Sequence, residues 1–209
     1  LACLLAISAI SFSFVKVPAK KKDTAKEVSF ISTNKATEII HDHGTEVLSV
    51  IAAEIPDAFT GGAHEATFQL FVTEDVPTEY PVEEYNWLFA AERADSAGAD
   101  IIHSSLGYYD FDDASMNYTL EDMDGKTTVV SRAAQWAADR GIVVITSAGN
   151  EGAIPSWRII TAPADAVDVL AIGGVSNTLQ KMNSSSIGPT SDNRIKPDLV
   201  ALGASVKVV

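Results

Sequence analysis

Apolar and polar positions alternate with two different periods along most of this chain. Three segments carry apolar residues at helical spacing: 44–53, 82–97 and 126–140. Four segments are short alternating or continuous apolar runs of the kind that forms strands: 66–72, 99–103, 142–146 and 167–175. Strands that alternate with helices in this order predict an α/β fold, with a parallel sheet and right-handed crossovers.

The helix over 82–97 is predicted to be amphipathic. Val82 and Phe89 belong to the apolar set that defines its period. Glu83 and Glu84 lie in its first turn, where negative charge suits the positive end of the helix dipole.

Small residues follow two of the predicted strands. Ser104 to Gly107 come after one strand, and Ser147 to Gly149 come after the next. Ligands of parallel α/β sheets bind at the carboxyl ends of strands, and small residues there let a ligand backbone approach closely. Asn150 is expected to hold its amide over these strand ends.

Composition and charge narrow the class of protein. The chain has 209 residues, of which 46% are hydrophobic and 21% charged, as in globular proteins. Its net charge of −13 argues against a nucleic-acid partner, which would require a basic face. The single cysteine, Cys3, excludes an intramolecular disulfide and a cysteine-rich zinc site.

The two ends of the chain suggest incompleteness. Residues 1–15 are apolar but shorter than the roughly 20 residues that a membrane span needs, so no stable span is predicted. They fit either the apolar part of a secretory signal or a buried strand of a truncated upstream region. We therefore divide the chain into a leader over 1–27 and a partial domain over 28–209. The apolar stretch at 204–209 predicts that further sequence follows.

The four histidines differ in how well their sequence positions suit catalysis or metal binding. His43 precedes Gly44 at a helix start, where it could act as a general base or simply cap the helix. His41 lies two residues earlier, which is not the spacing of a helical zinc pair. His64 is expected in a solvated loop, and His103 as a hydrogen-bonded core residue.

Other candidate motifs are weak. The acidic stretches 110–113 and 122–124 lack the full pattern of a calcium-binding EF-hand loop and are expected to be solvated. Gly173 and Gly174 do not form a dinucleotide-binding fingerprint, and a G-x-S-x-G nucleophile motif is missing. No metal site is predicted, and a nucleotide binder has no phosphate loop to support it.

Several segments in order resemble the sequence boxes of the subtilisin-like serine proteases, the subtilases. They are HGTEV at 43–47, ADIIHSSLG at 99–107, GIVVITSAGNEG at 141–152, TAPA at 161–164, SSSIGP at 184–189 and RIKPDLVALG at 194–203. The resemblance covers about residues 28–209. It implies a three-layer α/β subtilase fold with a parallel sheet, incomplete at one or both ends, and hydrolysis of peptide bonds.

The resemblance also implies roles for individual residues. His43 would be the base of an Asp-His-Ser triad, and Asn150 would donate its side-chain amide to the oxyanion. The substrate backbone would pair with a strand and contact the neighbouring loop at five positions: Ser105, Leu106, Gly107, Ala148 and Gly149.

Two boxes of the family pattern are missing. The sequence has no Gly-Thr-Ser-x-Ala-x-Pro nucleophile box. Of the aspartates before the histidine, Asp23 follows three lysines and not an apolar strand, and Asp42 is adjacent to His43 and is not expected to reach the far nitrogen of its ring. Asn193 also stands where relatives often have glycine. We therefore expect these 209 residues alone to be inactive, as a fragment of a serine endopeptidase. The alternative is a non-catalytic subtilase-like module that binds peptides.

Partners and location follow from the same resemblance. The partner would be a peptide or protein substrate, and the location would be outside the cell or in the cell envelope. No cofactor is implied for the reaction. Relatives often bind calcium, but the sequence assigns no calcium site.

Overall fold

The computed structural model describes residues 11–16, 28–32, 43–75, 77–157, 159–206 and 208. Three helices lie within these residues: α1 (His43–Ala52), α2 (Val82–Ser96) and α3 (Val129–Asp139). The strands are β1 (Ser11–Lys16), β2 (Val28–Ser32), β3 (Glu54–Ile55), β4 (Phe59–Thr60), β5 (Thr67–Val72), β6 (Ile101–Ser104), β7 (Val143–Ser147), β8 (Leu170–Val175) and β9 (Leu199–Leu202). Short 3₁₀ turns occur at Ala114–Met116 and Leu120–Asp122.

Seven strands form one sheet in the order β2-β5-β1-β6-β7-β8-β9, and β3 and β4 form a separate hairpin. The strands β6, β7, β8 and β9 run parallel, as do β2 and β5. Only β1, among the strands of this sheet that the structure describes, runs antiparallel to its neighbours β5 and β6. The predicted α/β class with a parallel sheet is confirmed for the four-strand block, and β1 makes the whole sheet mixed.

Helices cover both faces of the sheet. On one face α2 and α3 pack together over β6 and β7, and Trp87, Val130, Ile102 and Val144 are buried there. On the other face α1 packs over a smaller cluster around Phe68. This arrangement gives the three layers that the sequence predicted.

The helix α2 forms as predicted but turns a different face to the core. Val82 and Phe89 are 59% and 57% exposed, whereas Glu83 and Glu84 in the first turn are buried. The core side of α2 consists instead of small alanines around Trp87, whose indole N–H donates to Ser104 Oγ at 3.2 Å. Small side chains let α2 approach the sheet closely, and the buried glutamates find hydrogen-bond partners on other segments.

Candidate active site

The strands β6 and β7 bring two of the predicted site segments to the same edge of the sheet. They pair in parallel with Ser104 opposite Thr146, so the residues after each strand emerge side by side. Ser105 and Gly107 are half-buried here, Leu106 packs into the core, and Asn150 is exposed. The sequence-based expectation that Asn150 holds its amide over these strand ends stays a prediction.

Thr161 lies between the two segments. A Cβ added to Gly107 would collide with Thr161 Oγ1, and one added to Gly149 would lie 2.6 Å from the same oxygen. Gly149 also has φ +106°, a conformation that side chains rarely adopt. Both glycines are therefore required by close backbone approach to one buried threonine.

The loop that carries Asn150 is fixed by a buried carboxylate. Glu151 Oε2 accepts hydrogen bonds from the Asn150 backbone N–H at 2.6 Å and from Ser186 Oγ at 3.0 Å. The Ser186 N–H donates back to the Gly149 carbonyl at 3.0 Å. Burial raises the pKa of Glu151, while these hydrogen bonds act in the opposite direction. Because the backbone N–H and not the side chain of Asn150 makes this contact, the loop's shape does not depend on that side-chain amide.

His43 is half-buried at the first position of α1. The second half of α1 packs through Leu48 and Ile51 on the cluster of Phe68 and Leu70, and Ile101 at the start of β6 packs on the same cluster. The helix therefore has its last turns over the amino ends of the strands.

Tyr108 anchors the end of the segment after β6. Its backbone N–H donates to the Ala162 carbonyl at 2.9 Å, and its phenol donates to Glu74 Oε1 at 2.5 Å. Both side chains are buried. The sequence prediction missed Glu74, because an acidic residue just after a strand normally indicates solvent.

The other histidines have ordinary surroundings or lie outside the described residues. His64 Nδ1 is 3.1 Å from the Gly61 carbonyl. Burial lowers the pKa of His103, and its Nδ1 has no hydrogen-bond partner among the described residues, so the expected hydrogen bond is not seen at that atom. His41 and the two rejected aspartates, Asp23 and Asp42, are outside the described residues.

The predicted acidic loops act as local caps. Asp110, Asp112 and Asp113 are exposed, and Asp113 accepts from the Ser115 N–H at 3.0 Å. Asp124 accepts from the N–H groups of Lys126 and Thr127. These contacts give each carboxylate a structural use in its turn.

Lys196 and Asp198, in the segment 194–203, stabilise the sheet through hydrogen bonds. Lys196 is buried, and its ammonium donates to the Val169 carbonyl at 2.5 Å and to Asp198 Oδ2 at 2.7 Å. Asp198 Oδ2 also accepts from the Ala171 N–H, which ties β8 to the segment before β9. Asn193 has φ +66°, a conformation that favours glycine and that asparagine tolerates better than most residues.

Sequence comparison assigns the chain to a family. The model of the Subtilase family matches residues 7–208, so the chain belongs to the subtilases. Among curated proteins it is 27% identical over 173 residues to subtilisin-like protease SBT6.1 of Arabidopsis thaliana, covering 78% of this chain and 14% of that protein. It is 28% identical over 161 residues to subtilisin DY of Bacillus licheniformis, covering 77% and 53%. The chain thus spans much less than the full length of these relatives.

Solved structures share the fold. The prenylagaramide maturation protease PagA superposes with a TM-score of 0.62 at 22% identity, covering 87% of this chain and 58% of that one. The PatG macrocyclase in complex with peptide superposes with a TM-score of 0.63 at 15% identity, covering 88% of this chain and 61% of that one. Within the described residues, no helix combines the length and apolar character needed to cross a membrane.

Proposed function

We propose that the intact protein is a serine endopeptidase in which His43 is the general base and Asn150 stabilises the oxyanion. The observation that carries this proposal is the meeting of the segments 105–107 and 148–150 against Thr161 at the carboxyl edge of the sheet. Asn150 is exposed there, and His43 is half-buried at the first position of α1, a helix that packs on the same sheet. Membership of a protease family supports the reaction class.

In this proposal an extended peptide adds as a strand beside Ser105, Leu106 and Gly107. The half-buried glycine leaves room for the peptide backbone, while the buried Leu106 holds the segment in the core. Ala148 and Gly149 form the opposite side of the binding cleft. The side-chain amide of Asn150 then donates to the negative oxygen that develops on the scissile carbonyl.

His43 would take the proton of a serine hydroxyl and return it to the leaving amine. The serine and aspartate boxes of the family pattern are missing from these 209 residues, so the proposal assigns only the base and the oxyanion donor to this sequence. The hydrolysis needs no metal or cofactor, because the base, the nucleophile and the oxyanion donor are side chains. A location outside the cytoplasm is supported by relatives such as the minor extracellular protease Vpr of Bacillus subtilis, 29% identical over 140 residues and covering 67% of this chain and 15% of that protein.

The test is hydrolysis of fluorescein-labelled casein by the intact protein and its His43→Ala variant. Loss of the base should lower kcat by about 10⁴-fold or more. His64→Ala is the matched control, since His64 lies in a loop with its Nδ1 3.1 Å from the Gly61 carbonyl and has no role in the proposed reaction. Normal hydrolysis by His43→Ala would contradict the proposal. An intact protein that binds extended peptides but neither cleaves casein nor reacts with a fluorophosphonate would instead be a peptide-binding module.

A further inference from the structure

Three carboxyl groups meet next to the proposed peptide-binding segment. Oxygen atoms of Glu74, Glu79 and Glu83 all lie within 4.8 Å of one another. Glu74 and Glu83 are 5% and 1% exposed, and Glu79 is half-buried. Three negative charges this close in a buried place repel each other strongly, so the cluster must bind protons or counter-charge to remain folded.

The geometry of the cluster indicates where a proton is held. Three carboxyl groups with oxygens within 4.8 Å of one another cannot all be ionised without strong repulsion, so at least one of them carries a proton. Glu83 accepts from the backbone N–H groups of Asp75 at 2.7 Å and Tyr80 at 3.2 Å, which favour its ionised form and leave the proton to Glu79 or Glu74. Burial and the neighbouring carboxylates correspondingly raise the pKa of Glu79 to about 9 and that of Glu74 to about 7.

The cluster is connected directly to the peptide-binding segment. Glu74 Oε1 accepts from the phenol of Tyr108 and, at 2.7 Å, from the hydroxyl of Thr73. The Tyr108 backbone N–H is bound to the Ala162 carbonyl. Tyr108 is thus held at both its side chain and its backbone, and it directly follows Gly107.

We propose that Glu74, acting through Tyr108, is a positioning residue for the peptide-binding segment 105–107, and that a proton held on Glu79 keeps the carboxyl cluster closed around it. The inference rests on the proposed function of that segment. Among the described residues, the other titratable groups with the largest influence on the cluster are acids: Asp75, Glu84, Asp112 and the Tyr108 phenol. Loss of the Glu79 proton would therefore add charge to a site that already contains several acidic groups.

The first experiment measures backbone amide exchange of the segment 105–108 in the intact protein, as protection factors corrected for the intrinsic effect of pH. In the wild type, protection should fall as pH rises from about 6 to about 10, because the Glu79 proton is lost. Glu79→Gln keeps a neutral donor at that position and should retain the protection. Tyr108→Phe, which removes the hydroxyl only, should lower the protection at every pH. Glu92→Gln removes one exposed charge from α2, the helix that contains Glu83, and should behave as the wild type.

The second experiment measures kcat and KM for labelled casein over the same pH range. Tyr108→Phe should raise KM by about tenfold with a smaller change in kcat, as expected for loss of one hydrogen bond to a charged group. In Glu79→Gln the alkaline rise of KM should shift to higher pH by about one unit or more. A merely structural role would not move the pH at which KM rises.

Several results would overturn the inference. Protection of 105–108 that does not depend on pH in the wild type, or is unchanged in Tyr108→Phe, would contradict it. An unchanged KM in Tyr108→Phe and Glu79→Gln would also contradict it. If millimolar calcium chloride restored the protection at alkaline pH, the cluster would instead be a cation site. An intact protein that hydrolyses nothing would overturn the proposed function instead, and the protection factors would still decide whether the cluster holds Tyr108.

Discussion

The strand ends after β6 and β7 and the first turn of α2 differ in how their residue types are determined. At the strand ends Gly107 and Gly149 are set by steric crowding, because any side chain would meet Thr161. In the first turn of α2, Glu84 is buried because Tyr118 and Val130, 34 and 46 residues away, donate hydrogen bonds to it. A steric requirement for glycine is visible in a sequence as a small residue, whereas a buried charge that distant partners satisfy looks like an ordinary surface charge.

The largest effect is expected from Gly149→Ala. The added methyl group would lie 2.6 Å from Thr161 Oγ1 and 2.7 Å from Glu151 Oε2, at φ +106°. Overpacking and backbone strain together should lower the free energy of unfolding by about 2–4 kcal/mol, measured by urea denaturation. Gly62→Ala is the control, since nothing lies within 4 Å of its added carbon. Equal stability of the two variants would mean that the strand ends are not constrained as described.

The next largest loss of stability is expected in the first turn of α2. Glu84→Ala removes the acceptor for Tyr118 OH at 2.6 Å and for the Val130 N–H at 2.9 Å, leaving the backbone donor unpaired in the core. The free energy of unfolding should fall by about 1–3 kcal/mol.

The matched control for Glu84→Ala is Glu92→Ala, at an exposed position of the same helix, where the change should be within about 0.5 kcal/mol. If both substitutions lower the free energy of unfolding by the same amount, the buried and exposed glutamates of α2 would not differ as described. Urea denaturation at one pH and salt concentration is sufficient to compare them.

A smaller effect is expected from pH. Glu74 and Glu79 have folded-state pKa values of about 7 and about 9, above the ordinary 4.5. The folded state therefore binds more protons than the unfolded state between these values, so stability falls as pH rises through this window. The melting temperature should drop between about pH 5 and about pH 9, by about 2–4 °C for each kcal/mol. The melting temperature of Glu79→Gln should drop less over the same pH range. If that variant had the same pH dependence as the wild type, Glu79 would not be the group that titrates.

Much of the fold could be predicted from apolar periodicity. The predicted helix over 82–97 corresponds to α2 (Val82–Ser96), and the run at 142–146 corresponds to β7 (Val143–Ser147). The strand β9 was not predicted, because all four of its residues are exposed and its segment follows a Lys-Pro-Asp sequence. Its position comes from pairing with β8 and from the contacts of Lys196, which are long-range.

Less of the candidate site could be predicted. The segments 105–107 and 148–150 were found because their small residues and their resemblance to a family both mark them. Glu74 and Tyr108 were missed, since their hydrogen bond joins residues 34 positions apart. The burial of Glu83 was also missed, because its partners are backbone N–H groups, which leave no signature in side-chain type.

The most direct test of the central claim is the hydrolysis of casein by Asn150→Ala in the intact protein. The account predicts that kcat falls by about 10²–10³-fold with little change in KM, since the amide would act only on the developing oxyanion. Stability should be unchanged, because the loop is held by the backbone N–H of Asn150 and by Glu151. Full activity of this variant, with Asn183→Ala as the exposed control, would show that the oxyanion is not stabilised at this edge of the sheet.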